Sequence, residues 1–401
     1  MADVTEDDLR ARTRGLLEEV DPTEVDMIRF RGEQFDRGLA VVRFPEGRGG
    51  LGLSPKMQAI VNDELRQADR VYHDLNVNPI GIGMGMPTVL DHGTEEMHDR
   101  FLRPCFTGEE IWCQLFSEPG SGSDVAGLAC RAERDGDEWV VNGQKVWTTL
   151  AHRSRWGMLL ARTDPDQPKH KGLSYFVIDM HAPGVETRPL FQITGEAEFN
   201  EVFMTDVRIP DSMRLGERGD GWRVAITTLM NERVALGGGG MPRGGGPIAM
   251  LTAVWEKYQP DPHDPLHAVL RDRVARLWSD AEVLRLTSMR ARAAAQMSTP
   301  GPEGSVGKLF SAELNKAIFE VCVDLMGPAA MEFEAGYPLE RADTASMYGL
   351  DVKKAFLRSR ANSIEGGTSE VMRNILGERV LGLPGDVRVD KDVPWTDVPR
   401  N

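Results

Sequence analysis

A chain of 401 residues, 41% of them hydrophobic, exceeds what one core usually organises, so two or three domains are expected. Its 62 acidic and 47 basic residues give a formal charge of −15, which argues against a broad nucleic-acid surface but leaves room for a local basic pocket. The sequence shows no secretory leader and no run of about 20 apolar residues, so a cytoplasmic protein without a membrane span is expected. It also has no CxxC spacing, so reduced thiols and no metal site are expected.

The first part of the chain has apolar residues at helical spacing from Glu6 to about Gly108, and a helical domain is predicted over residues 1–110. The segment Phe44–Gly52 interrupts this pattern and contains a formal GxGxxG, formed by Gly47, Gly49 and Gly52. No hydrophobic strand of a βαβ unit leads into this segment. It is therefore predicted to be a turn and not a dinucleotide-binding fingerprint.

The pattern changes at about Ile111, where short strand-like segments begin and continue to Leu215. Turn residues bound each of them, among them Asp135–Asp137, Asn142-Gly143 and Ala182–Gly184. The strand-like segments are Glu138–Val141, Trp156–Leu160, Leu173–Ile178 and Glu201–Met204. An antiparallel β domain over residues 111–217 is predicted.

Two segments of this β domain carry the strongest chemical signal. Phe116–Asp124, with sequence FSEPGSGSD, combines three hydroxyls and two glycines in a turn that a flat polar ligand can approach closely. Asn142–Thr149 places the indole of Trp147 beside the hydroxyl of Thr149, which suits an aromatic ring that needs one orienting hydrogen bond. A flavin site is the functional interpretation; the alternative is a surface loop before a hairpin, with Trp147 in the core.

Helical spacing returns after Gly221, and a helical domain is predicted over residues 218–401. One long amphipathic helix is indicated by apolar residues that step by three and four: Leu266, Leu270, Val274, Leu277, Ala281 and Leu284. The glycine-rich segment Gly237–Gly246 would break any helix that ran through it. It lacks the lysine and hydroxyl of a P-loop, so a flexible connection is predicted there.

The order of helices, β domain and helices, opened by the FSEPGSGSD loop, resembles the acyl-CoA dehydrogenase family over nearly the whole chain. Four further matching segments are Arg188–Leu190, Glu198–Phe203, Asp206–Pro210 and the tail Ile364–Leu376. The resemblance implies an α+β multidomain fold with an N-terminal helical domain, a middle antiparallel β domain and a C-terminal helical bundle.

The resemblance also implies FAD as cofactor and an acyl-CoA as substrate. Positions matching the cofactor contacts of the family are Gln114, Leu115, Ser117, Gly122, Ser123, Trp147, Thr149, Thr368 and Glu370. Positions expected to contact the substrate are Ser123, Arg233, Gly366 and Gly367. The implied reaction is α,β-dehydrogenation to trans-2-enoyl-CoA, with hydride transfer to flavin N5 and onward transfer of electrons to an electron-transfer flavoprotein.

The reaction needs a protein base for the α-proton of the thioester. Medium- and short-chain members of the family use a glutamate directly before the Gly-Thr of the tail, but Gly366 occupies that position here. Isovaleryl and long-chain members use a Glu-Arg segment on a helix of the C-terminal domain, and Asn231–Gly238 matches it, so Glu232 is the predicted base. An exposed glutamate paired with an arginine is the structural alternative for Glu232. Glu365 is the competing base.

Assembly is left open by two motifs that hold the FAD of a neighbouring subunit in homotetrameric members of the family. An Arg-Lys-Thr-Phe-Gly stretch is replaced by Trp255–Pro260, and a Gln-x-x-Gly-Gly motif by Val323–Pro328. A homo-oligomer, dimer or tetramer, is favoured because this chain carries the flavin loop, the tryptophan, the candidate base and the tail threonine. A mixed heterotetramer with a related chain, in which this subunit completes a partner's site, is the alternative. A flavin oxidase or monooxygenase on the same fold also stays open.

Overall fold

The computed structural model describes residues 4–68, 78–237, 241–297, 302–332, 351–385 and 387–399, with only the backbone of residues 232–237 and 294–297. Its N-terminal part is helical, as predicted: α1 Glu6–Glu19, α2 Met27–Asp36, α3 Gln58–Gln67, α4 Met86–His92 and α5 Glu95–Thr107. Thr5 caps α1 and Thr94 caps α5, each by accepting a hydrogen bond from a backbone N–H of the first turn. Phe44–Gly52 is a turn, closed by a 2.7 Å hydrogen bond from Gly52 N to Phe44 O.

The middle part forms an eight-stranded sheet with strands β1 Trp112–Leu115, β2 Arg131–Asp135, β3 Glu138–Thr149, β4 Trp156–Arg162, β5 Leu173–Asp179, β6 Val185–Leu190, β7 Phe199–Pro210 and β8 Arg214–Leu215. The strand order is β6-β7-β3-β2-β4-β5-β8, with β1 also paired to β4. All four predicted strands are present. The sheet is mixed, however, because β1 and β2 each run parallel to β4.

The dipeptide Asn142-Gly143 is not a turn, and that prediction is wrong. Strand β3 continues through it, with a register shift against β7 between Val141 and Gly143. The Asn142 side chain bridges the irregularity, because its amide donates to Asp206 Oδ1 and its oxygen accepts from Asp206 N, both at 3.0 Å. Asn-Gly here marks a bulge inside a strand, which a glycine also permits.

The C-terminal part is again helical: α6 Gly221–Gly237, α7 Pro247–Tyr258, α8 Pro265–Met297, α9 Glu303–Met326, α10 Val352–Ser359 and α11 Ser369–Ile375. Helix α8 is the predicted long amphipathic helix. The glycine-rich segment separates α6 from α7, as expected, although residues 238–240 within it lie outside the described chain. Within the described ranges, no helix is long and apolar enough to cross a membrane.

Helix α6 packs where the three parts of the chain meet. Val224 and Ala225 of α6 are fully buried in the same core as the sheet and the N-terminal helices. The buried hydroxyl of Thr228 lies 3.0 Å from Thr88 Oγ1 of α4 and 3.0 Å from Tyr175 Oη of β5. Because buried hydroxyls need partners, this network fixes α6 against both neighbours.

Residues 387–399 cross back over the β domain, and we call them the tail strap. The indole of Trp395 donates to Gly127 O at 3.1 Å and lies 4.6 Å from the guanidinium of Arg162. Lys169 Nζ lies 2.8 Å from Asp124 of the FSEPGSGSD loop and 2.5 Å from Asp390 of the strap. The strap therefore contacts the β domain beside that loop.

Candidate active site

The FSEPGSGSD loop is anchored by an ion pair in the interior of the protein. Lys145 is 0% exposed, and its ammonium donates to Phe116 O at 3.0 Å and to Glu118 Oε1 at 2.8 Å. The Glu118 carboxylate also accepts from Ala129 N at 2.7 Å and from Cys130 N at 2.9 Å. Three donors therefore hold the Glu118 carboxylate, and these hydrogen bonds fix the base of the loop.

The same anchor brings the two predicted flavin segments together. Val146 N donates to Ser117 O at 2.9 Å, which places Trp147 directly beside the loop. Reciprocal backbone hydrogen bonds of 3.0 Å between Glu118 and Ser121 close the turn. Two predicted contact residues lie exposed at its tip: Gly122 and Ser123.

Trp147 is not a core residue, so the structural alternative for it is wrong. Its side chain is 57% exposed, and its φ of 61° lies in the left-handed region, at an irregularity in the pairing of β3 with β7. Such a backbone conformation costs a bulky residue about 1–3 kcal/mol and recurs at functional sites. Phe199 of β7 supports the indole edge-on, with ring centroids 5.7 Å apart. Thr149 ends β3 two residues further on.

The surroundings of Trp147 fit the expected flavin. The buried Nε2 of Gln114 has no hydrogen-bond partner in the described protein and is available to an acceptor on a ligand. A Cβ built on Gly120 or Gly122 would meet no atom within 4 Å, so the loop has open space in front of it. Leu115 is fully buried, so only its backbone can contribute to cofactor binding.

The turn at residues 364–367, which we call the tail turn, has glycine instead of a carboxylate at position 366. Both of its glycines have positive φ angles, 60° at Gly366 and 92° at Gly367. The neighbouring Glu365 accepts from Arg358 Nη1 at 3.1 Å and Nη2 at 2.7 Å, and from Asn362 Nδ2 at 2.8 Å. Its oxygens are therefore engaged by three donors. This arrangement turns the carboxylate into a structural anchor of the turn.

The other predicted tail residues lie at the start of α11. Thr368 is the N-cap of this helix, and its hydroxyl accepts from Val371 N at 3.1 Å. Glu370 is exposed and lies 3.4 Å from Arg373. The Thr368 hydroxyl keeps its own hydrogen for a ligand, since capping uses it only as an acceptor.

Two functional candidates were missed from the sequence, Arg358 and Glu198. The Arg358 guanidinium lies 5.9 Å from the ring centroid of Phe199, and its Nε lies 3.9 Å from Glu198 Oε1. Burial raises the pKa of Glu198 to about 7, against the opposing effect of the Arg358 charge. Glu198 belongs to a segment that matched the family, but its burial depends on packing that local sequence does not reveal.

The predicted base and its neighbour lie at the edge of what the structure describes. Positions 232 and 233 are in α6, whereas the side chains of Glu232 and Arg233 are outside the described residues. Position 232 follows Thr228 by four residues, about one helical turn. It therefore lies close to the junction of the three domains.

The cysteines offer no alternative nucleophile. All four are free and buried. Burial raises the pKa of Cys130 to about 11 and that of Cys113 to about 12, so both stay protonated and unreactive at neutral pH. No cluster of histidine, cysteine and carboxylate side chains that could hold a metal ion occurs in the described parts of the chain.

Comparison with curated proteins gives relatives over most of the chain. FadE34 of Mycobacterium tuberculosis, an acyl-CoA dehydrogenase, is 40% identical over 351 residues, which are 87% of this chain but 45% of that protein. IpdE1 of the same organism, also an acyl-CoA dehydrogenase, is 38% identical over 351 residues, covering 88% of this chain and 86% of that protein. The chain thus spans about half of the first relative and most of the second.

Solved structures and family models agree with these relatives. The ChsE4–ChsE5 complex from Mycobacterium tuberculosis superposes with a TM-score of 0.69 at 28% identity, covering 95% of this chain and 97% of that one. The Tcur3481–Tcur3483 steroid ACAD gives 0.69 at 26% identity, covering 96% and 99%. Models of the N-terminal, middle and C-terminal acyl-CoA dehydrogenase domains match residues 5–109, 113–207 and 219–381. The chain therefore belongs to the acyl-CoA dehydrogenase family, whose members are FAD-dependent oxidoreductases acting on a CH–CH group.

Proposed function

We propose that this chain catalyses the α,β-dehydrogenation of an acyl-CoA thioester to the trans-2-enoyl-CoA, with Glu232 as the base. The assignment of the base depends mainly on one observation, the hydrogen bonding of the competing residue Glu365. Glu365 is held by three hydrogen bonds from Arg358 and Asn362, so its oxygens are not available to an α-proton. Gly366 supplies no carboxylate, and Glu232 is then the remaining candidate from the family motifs.

Different residues of this chain are proposed to bind the cofactor, remove the α-proton and bind the thioester. Trp147 and the FSEPGSGSD loop hold and orient the cofactor, and FAD when bound accepts the hydride from the β-carbon. Glu232 removes the α-proton, aided by the exclusion of water when an apolar acyl chain fills the site. The backbone N–H near Gly366 donates to the thioester oxygen as negative charge develops there. Ser123, Arg233 and Gly367 are proposed to contact the coenzyme A thioester.

The reaction is tested by anaerobic bleaching of the bound flavin with a panel of acyl-CoA thioesters, from short straight chains to branched and steroid-like ones. At least one thioester is expected to reduce the flavin and to yield the trans-2-enoyl product. The steroid-like members are included because one structural relative is described as a steroid ACAD. Absence of bleaching by every thioester, in protein that holds FAD, would refute the proposal. Rapid reoxidation of the reduced flavin by air would instead identify an oxidase or monooxygenase.

We further propose that the chain works as an oligomer. Among the side chains of helix α8 that the structure describes, residues 265–293, five large apolar ones are about half exposed: Leu266, Val269, Val283, Leu286 and Met289. Apolar residues repeated along one helix in this way mark a surface that another chain covers. Two of the structural relatives, the ChsE4–ChsE5 complex and the Tcur3481–Tcur3483 steroid ACAD, carry two differently named chains, which supports a mixed assembly over the homo-oligomer that the sequence alone favoured.

Light scattering and flavin content of the chain, expressed alone and with a second acyl-CoA dehydrogenase chain, distinguish the two assemblies. A mixed enzyme is expected to gain FAD and a larger mass only on co-expression. A stable homodimer or homotetramer with one FAD per chain would establish the homo-oligomer. Transfer of electrons to an electron-transfer flavoprotein, and a cytoplasmic location supported by four unpaired cysteines, are part of the same proposal.

A further inference from the structure

Arg358 occupies the boundary between the β domain and the tail turn. It lies on α10 and is 5% exposed. One side of its guanidinium forms the two-pronged pair with Glu365, and its carbon atom lies 5.9 Å from the ring centroid of Phe199. Phe199 in turn supports Trp147. A continuous set of contacts therefore links the exposed indole to the turn that contains Gly366.

The tail turn has other anchors, but they lie within the C-terminal domain. Lys308 of α9 donates to Asn362 O at 2.9 Å and also to Gly367 O. Asn315 of the same helix donates to Asn362 Oδ1 at 3.3 Å. These contacts fix the shape of the turn without Arg358. The charge of Lys308 also acts on Glu365, and what Arg358 adds is a two-pronged ion pair with that carboxylate and a contact with strand β7.

The charge matters because of what lies next to Glu365. A carboxylate one residue before Gly366 would repel the negative charge that develops on a thioester oxygen held by the Gly366 N–H. Arg358 cancels that charge and also keeps the carboxylate turned towards α10. Glu198, the second carboxylate near Arg358, is protonated below a pKa of about 7 because it is buried. Below that pH Glu198 carries no charge, so the effect of Arg358 on Glu365 can be measured separately.

We propose that Arg358 is a positioning residue for the dehydrogenation reaction, which immobilises Glu365 and neutralises its charge beside the site of the thioester oxygen. This inference rests on the proposed function. The chemical event is unchanged: the α-proton goes to the base and the hydride goes to the cofactor. Arg358 changes only the electrostatic environment in which charge builds up on the oxygen.

The test uses the holoenzyme, with any partner chain it requires, at pH 6, where Glu198 is largely protonated. Arg358→Met is expected to lower kcat about ten- to a hundredfold while KM changes less than about threefold. It is also expected to make the reduction potential of the bound flavin more negative, because a carboxylate that has lost its paired guanidinium disfavours added electrons. Arg358→Lys keeps the positive charge but cannot form the two-pronged pair with Glu365. It is expected to retain the wild-type potential, with kcat lowered by less than about fivefold.

The decisive variant is Arg358→Met combined with Glu365→Gln. If Arg358 acts by neutralising Glu365, removing both charges restores kcat and the potential to near wild type, so the double-mutant cycle is strongly non-additive. A double variant as slow as Arg358→Met would overturn the proposal and leave Arg358 a purely structural residue. If Arg358→Met does not fold, Arg358→Lys decides: a hundredfold loss of kcat with the charge retained contradicts the proposal.

Arg360→Met is the matched control, since Arg360 follows α10 by one residue and pairs with the half-exposed Glu320 at 2.8 Å. It is expected to keep both kcat and the potential. If wild-type protein is reduced by no thioester, the proposed function fails separately. The potential of the photoreduced flavin still tests Arg358 in that case, and an unchanged value in Arg358→Met would overturn its electrostatic role.

Discussion

Glu232→Gln is expected to retain FAD and to bind acyl-CoA, while the rate of flavin reduction falls by about a thousandfold or more. The amide has nearly the same shape as the carboxylate but cannot accept the α-proton. Position 232 lies on α6, one turn beyond the Thr88–Thr228–Tyr175 network, so a change there leaves the helix anchored. Stopped-flow absorbance of the flavin under anaerobic conditions measures the rate, and equilibrium titration measures thioester binding.

Glu365→Gln is the control for this experiment. Because its carboxylate is already engaged by Arg358 and Asn362, its loss is expected to slow reduction by less than about fivefold. A Glu232→Gln protein that folds, binds FAD and is reduced at nearly the wild-type rate would place the base elsewhere. Glu365 would then be the next residue to examine.

Lys145→Met is expected to destabilise the protein by about 3–5 kcal/mol and to abolish FAD binding at ambient temperature. The substitution leaves Glu118 charged, 9% exposed and without its cation. It also removes the donor to Phe116 O, so the base of the FSEPGSGSD loop is released. Urea denaturation followed by circular dichroism gives the free energy of unfolding, and the absorbance of the purified protein gives the flavin content.

Two variants control for this prediction. Lys171→Met removes an exposed lysine of the same domain and is expected to change the free energy of unfolding by less than about 0.5 kcal/mol. Glu118→Gln with Lys145→Met removes both charges and is expected to recover part of the lost stability. If Lys145→Met alone were as stable as wild type with a full complement of FAD, the buried pair would not be what holds the loop.

The elements found from the sequence are those that local pattern determines. Helix α8 was predicted because its apolar residues recur at helical spacing along one element. Strands β4 and β5 were predicted because short apolar runs lie between turn residues. The parallel pairing of β1 and β2 with β4 was missed, since pairing depends on which strands meet in the folded chain. Asn142-Gly143 was misassigned because the same dipeptide serves turns and bulges.

The candidate site likewise contains residues that local sequence indicates and residues that only the tertiary fold brings together. The FSEPGSGSD loop and Trp147 were proposed as flavin contacts because their residue types suit a flat ligand, and this assignment stays a prediction. The buried partners that shape them were not found, because Lys145 and Glu118 are 27 residues apart and look like ordinary surface charges. The Arg358–Glu365 pair is only seven residues apart, but its contact with Phe199 brings in another domain. Such clusters require the tertiary fold before their chemistry can be interpreted.

The tail strap has a consequence for biosynthesis. Trp395 and the Gly127 carbonyl that it binds are 268 residues apart in the chain. At a translation rate of about 5–20 residues per second, the strap is synthesised roughly ten seconds to a minute after the part of the β domain that it contacts. Throughout that interval Lys169 and Asp124 lack Asp390, so the loop beside them is incomplete on the ribosome. The β domain is therefore expected to bind FAD only after the strap has left the ribosome and docked, and not as soon as the β domain itself has emerged.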